Sequence, residues 1–173
     1  MLIAAIEPTL NTDPWRFQFH PEIWILTIGL VVAFVYAVRV VGPKVAPVGQ
    51  VISRKQILTF CLMIVMLWLA SDWPVHDIAE EYLYSVHMMQ HMAITYFVPP
   101  LALLAIPEWL FRLLIGQGRL YKTVRFLTRP VVAAVVYNLV VVTTHIPALV
   151  NRSAAGGPLH YGLHVILVLS ALM

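Results

Sequence analysis

Apolar residues run through this chain in long blocks, and the short stretches between them hold most of the charge. Residues 23–41, IWILTIGLVVAFVYAVRVV, form the first block. Its length approaches the roughly 20 residues that a helix rising about 1.5 Å per residue needs to cross about 30 Å of hydrocarbon. Gly42-Pro43 predicts the end of that helix, because proline removes a donor. A second block, 57–75, follows Arg54-Lys55 and closes on Ser71-Asp72-Trp73-Pro74, where Trp73 suits the membrane interface. The third begins near Tyr82, after Asp77, Glu80 and Glu81, and extends to Ile106, with a kink expected at Pro99-Pro100. Pro107 then opens EWLFRLLIG, which reads over 107–115 as a short helix lying on the membrane surface. Residues 130–150 form a fourth span and 159–173 a fifth. The fifth is still apolar at Met173 with no polar flank, so further spans are expected to follow in a longer protein. No block alternates with a period of two, which argues for helices over a barrel. The expected fold class is therefore all-α, a polytopic transmembrane helix bundle with about five spans in a single domain over 1–173.

Composition agrees with that pattern. Hydrophobic residues make up 61% and charged residues 11% of the chain, against about 25% charged residues in a soluble domain. A pI near 9.2 would ordinarily raise the question of nucleic acid, but topology explains the basic residues, so no nucleic-acid partner is expected. Arg39, Lys44, Arg54 and Lys55 join spans one and two; Arg112, Arg119, Lys122, Arg125 and Arg129 join spans three and four. These nine of the eleven basic residues belong in the cytoplasm by the positive-inside rule, which puts the N-terminus outside. The N-terminal MLIAAIEPTL lacks a basic leader and is expected to stay on the protein. Cys61, the single cysteine, excludes an intrachain disulfide and any CxxC motif, and reads as a small packing residue. Nothing forms a phosphate loop or a nucleophile elbow, so hydrolytic and nucleotide-driven chemistry have no support and the chain reads as a non-enzyme.

On that topology all seven histidines fall outside or in the outer leaflet: His20, His76, His87, His91, His145, His160 and His164. His87 and His91 are four apart, as are His160 and His164, so each pair projects from one helix face. Helical rise places His87, His145 and His164 at similar depth, with His91 a turn deeper. Met88, Met89 and Met92 surround the first pair, while Met63 and Met66 lie on span two. Thioether with imidazole is a donor set that favours copper, especially Cu(I). Methionine in a membrane helix is also ordinary packing, and a lone histidine there is also a hydrogen-bonding residue, so both readings stay open. The metal candidates are His87, His91, His145, His160, His164, Met88 and Met92. Asp72, Asp77 and His76 either orient imidazoles or are solvated interface charges, with His76 a possible way in for an ion. His20 and His76 lie in loops, where exposure is expected. Gln90 points away from the His87–His91 face and is the residue of its motif least expected to touch a metal.

SDWP at 71–74, YSVHMMQHM at 84–92, the double proline at 99–100, THIP at 144–147 and HYGLH at 160–164 together resemble the CtaG family of bacterial membrane proteins, over roughly residues 20–173. That resemblance implies a multi-pass protein of the bacterial plasma membrane, with about seven spans, that helps to mature a caa3-type cytochrome c oxidase. Its implied partners are oxidase subunits and the surrounding membrane lipid; the copper reading of the His/Met residues adds an extracytoplasmic copper donor. Three functions follow as expectations. The first is an assembly factor that handles copper at an extracytoplasmic His/Met site. The second is a haem b electron-transfer protein with axial histidines from two helices, and the third is a metal-free membrane chaperone for oxidase subunits.

Overall fold

A computed structural model of the chain describes residues 15, 17–47, 49–153 and 158–173. Among these the chain forms helices and no strand. In order they are α1 (Pro21–Val45), α2 (Arg54–Ser71), α3 (Val75–Glu81), α4 (Tyr84–Ala105), α5 (Glu108–Ile115), α6 (Arg119–Leu127), α7 (Pro130–Thr144), α8 (Pro147–Ser153) and α9 (Pro158–Ala171). Three of them, α1, α2 and α4, are long and apolar enough to cross a membrane. α6 and α7 would make a fourth span if taken together, but they are bent by 77° at their junction.

The differences from the expected spans trace to proline and to capping. Gly42-Pro43 does not end α1. The helix widens into a π-helical segment over Ala37–Val41, which absorbs the missing donor of Pro43, and continues to Val45. The same device recurs in α4, where Ala93–Phe97 are π-helical just before Pro99-Pro100, so the disturbance falls on the turn that loses its donors rather than at the prolines. α2 starts earlier than its apolar run, because Ser53 caps it. Ser53 Oγ accepts from the Gln56 N–H at 3.2 Å, and Gln56 Oε1 accepts from the Ser53 N–H at 2.9 Å. It ends at Ser71, and 75–81 form the separate helix α3. The fourth span expected over 130–150 is broken at His145-Ile146: Pro147 cannot donate to Thr143 and restricts Ile146 before it.

α2 packs along the second half of α4, where Phe60, Met63, Val98 and Ala105 are buried together. Phe34 of α1 stacks on Phe60 with ring centroids 3.8 Å apart. Met63 and Met66 belong to this core. Trp68 and Trp24 meet edge to face at 5.7 Å, and Trp73 packs against Phe17 at 5.6 Å. Most other large apolar side chains face outward, as in a bundle whose solvent is lipid.

Helix α5 is tied back to the α1–α2 connection. Trp109 is buried and its Nε1–H donates to the Val51 carbonyl at 2.7 Å. Gly42 makes the close approach possible, since a Cβ there would lie 2.5 Å from Val51 Cγ1 and 3.1 Å from Trp109 Cζ2. Gly42→Ala is therefore expected to destabilise the protein by about 1–3 kcal/mol, the range for overpacking a tight site. Gly29→Ala, whose added Cβ meets nothing within 4 Å, should be close to neutral. Thermal unfolding in detergent compares the two; equal midpoints would show that α5 is not held at Gly42.

Candidate metal centre

Four histidines meet: two from α4, one from α9 and one from the break after α7. His87 and His91 share one face of α4, and their Nε2 atoms stand 2.9 Å apart. One ring therefore donates an N–H to the other. Two nitrogens at that separation, each about 2.05 Å from an ion, would subtend about 90°, so a small widening makes the pair two ligands of one tetrahedral centre. α9 packs against α7 and against the π-helical turn of α4, which brings in His164. Its ring stacks on His91 at 4.5 Å between centroids and stands edge-on to His87 at 6.3 Å.

His145 arrives from the break after α7, its ring 6.3 Å from that of His91. Its Nδ1 lies 2.7 Å from the Val141 carbonyl, which can only accept, so Nδ1 carries the proton and Nε2 the lone pair. That tautomer is the one a metal ligand on Nε2 requires, held by a backbone carbonyl as ligating imidazoles commonly are.

These rings line a partly open cavity of about 70 Å³, together with Met88, Tyr84, Thr144 and Leu167. Of the two candidate thioethers only Met88 faces it; Met92 is 56% exposed and lies outside the lining. The side chain of His160 lies outside the described residues. The rings pack against one another, and among the described residues no group of three or more His, Cys, Asp or Glu side chains is placed to hold a metal ion. The donor set nevertheless fits an ion of soft or borderline character, with imidazole nitrogens from three helices and one thioether. The space admits an ion and one or two waters.

A second polar cluster lies beside the first, and here the expectations change. His20 and His76 are not exposed loop residues. His20 has 14% side-chain exposure and its Nε2–H donates to Asp77 Oδ1 at 2.8 Å. The His20 and His76 rings meet edge to face at 4.8 Å. Asp72 and Asp77, at 4% and 5% exposure, are buried rather than solvated. Asp77 orients an imidazole, that of His20, while the backbone carbonyl of Asp72 accepts the His76 N–H at 3.1 Å. Gln90 faces away from the cavity as its spacing predicts, but it is buried, and its Nε2–H donates to His76 Nδ1 at 3.1 Å. The signal for this cluster was a glutamine in an apolar helix, which needs partners wherever it points.

A sequence model of the cytochrome c oxidase caa3 assembly factor family, Caa3_CtaG, matches residues 32–173. That match contains both histidine pairs, the double proline of α4 and the Pro147 break. The chain matches neither a curated protein nor a solved structure. With most of its length inside the family match, the multi-helix membrane protein described above belongs to the Caa3_CtaG family of cytochrome c oxidase assembly factors.

Proposed function

We propose that the protein takes up a copper ion as cargo in the cavity between α4, α7 and α9 and passes it to a nascent oxidase subunit, without itself catalysing a reaction. The carrying observation is the meeting of four imidazoles from three helices around one small cavity, with Met88 beside them. Imidazole with thioether favours Cu(I) over hard cations. Ligands on separate helices can part by small helix displacements, which release requires. The positive-inside distribution supports an N-terminus outside the membrane, which puts the cavity on the side of a bacterial plasma membrane where an extracytoplasmic donor would deliver the ion.

The cavity volume favours an ion over haem b. A macrocycle needs several hundred Å³ and ligands on its two faces, whereas the space here is about 70 Å³ and His91 and His164 stack directly. The purified chain, loaded anaerobically with Cu(I) against a competing chelator, is expected to retain one ion per chain at the cavity. A Soret band with sharp reduced α-bands in place of copper would establish the haem reading. Retention of neither, with oxidase subunits still co-purifying, would establish a metal-free chaperone.

A further inference from the structure

Between the second half of α1 and the first half of α2 runs a half-open groove of about 420 Å³, which shares no residue with the histidine cavity. That volume falls within the roughly 300–1,000 Å³ of pockets that hold small molecules. Phe34, Val38, Phe60 and Ile64 are among the apolar residues that line it, and Arg39 is the one charged residue of the lining. The lined stretches, 31–39 on α1 and 57–65 on α2, are each about 12 Å long at about 1.5 Å per residue. Measured from Pro21 at the same rise, Arg39 stands about 27 Å along α1, close to where about 30 Å of hydrocarbon ends. Arg39 is exposed and makes no hydrogen bond or ion pair among the described residues. No acidic residue occurs between Glu22 and Asp72, while Lys44, Arg54 and Lys55 follow Arg39 in the same connection. Glu108 of the neighbouring α5 is paired with Arg112 at 2.6 Å. A guanidinium at the edge of the hydrocarbon is costly without a counterion, and this one has no carboxylate bound to it.

We infer that the groove holds one anionic phospholipid, with a single acyl chain lying between α1 and α2 and the phosphate on Arg39. Shape and charge point the same way. The apolar length runs from Arg39 toward Val31, about 15 Å along α1 and so near the middle of the bilayer, as a chain runs from its headgroup. The guanidinium stands where the phosphates lie, and its planar fork can donate two parallel N–H bonds to phosphate oxygens. A zwitterionic headgroup brings a cation of its own, which Arg39 and its basic neighbours repel, so a headgroup with net negative charge is preferred. The positive-inside distribution gives this end of α1 to the cytoplasmic leaflet, which carries the anionic lipid. The chain fills space that the two helices leave open beside the Phe34–Phe60 stack, and so adds contacts to their pairing. This site does not depend on the cavity's proposed role.

The test is native mass spectrometry of the purified chain in an uncharged detergent, titrated with phosphatidylglycerol or with phosphatidylcholine of the same acyl chains. One phosphatidylglycerol is expected to stay bound when detergent is removed, at least about fivefold more tightly than phosphatidylcholine, the scale of one basic residue at an anionic lipid surface. Arg39→Gln should abolish that preference. Val35→Trp puts a large ring into the groove from a position that is 50% exposed, and should lose retention of both lipids. Lys122→Gln, on α6 and outside the groove, should keep the preference of the wild type. If Val35→Trp fails to fold, Arg39→Gln against Lys122→Gln decides the matter, since both side chains are exposed. No preference for phosphatidylglycerol in the wild type, an undiminished preference in Arg39→Gln, an equal fall in Lys122→Gln, or full retention in a folded Val35→Trp would each overturn the assignment.

Discussion

His91→Ala is expected to raise the Kd for Cu(I) by more than about 100-fold, exceeding the roughly 10–100-fold that loss of an outer-shell partner produces. The reason is its position. His91 is the ring that every other imidazole of the cavity approaches: His87 at 2.9 Å between nitrogens, His164 at 4.5 Å and His145 at 6.3 Å between centroids. Removing it takes away one nitrogen of the closely spaced His87–His91 pair and the surface on which His164 is stacked. His145→Ala removes the ring farthest from that pair and should cost about tenfold. Chelator competition on the three proteins gives the ranking. Equal losses, or none, would show that the four rings are packing partners whose meeting has no bearing on copper.

Pro147→Ala should weaken Cu(I) binding by about tenfold while leaving the protein as stable as before, or more so. Proline interrupts the helix here because it lacks the N–H that would reach Thr143 and because its ring clashes with that carbonyl. Alanine restores both, at a helix propensity gain of about 3 kcal/mol, and lets α7 run on into α8. His145 would then continue the helix instead of turning at its end, where its Nδ1–H now meets Val141. A fall in affinity without a fall in thermal midpoint would separate the geometry of the site from the stability of the fold. If affinity is unchanged, the break at 145–146 does not position His145.

Much of the fold was legible because it is set locally. A run of apolar residues long enough to cross the membrane must be helical, since only hydrogen bonds within the segment satisfy its backbone there. The meeting of His87, His91, His145 and His164 was also within reach, because helical pitch and the alternation of basic connections bring them to one level before any contact is known. Depth alone did not say which side chains turn inward. Met88 and Met92 are four apart and looked equivalent, yet only Met88 lines the cavity. The segment from 93 to 97 widens into a π-helix just beyond Met92, and α9 packs against that turn. The rotation of a helix about its axis is fixed by such packing, and apolar composition on all sides leaves it undetermined.

Neighbouring residues alone dictate an all-helical membrane protein with histidines paired on helix faces, because hydrophobic length, proline position and i, i+4 spacing are local properties. Where the prolines are absorbed depends on packing between elements. α1 passes through Gly42-Pro43 while the span at Pro147 breaks, since Gly42 lies tightly against Val51 and Trp109, whereas His145-Ile146, ahead of Pro147, is exposed. Packing also brings His20, His76, Asp77 and Gln90 into one cluster, with Asp77 and Gln90 buried and both histidines half-buried. His20 and Asp77 are 57 positions apart, and no periodicity carries information across such a distance; their hydrogen bond exists because packing of α1 against α2 leaves both side chains out of water with each other as partners.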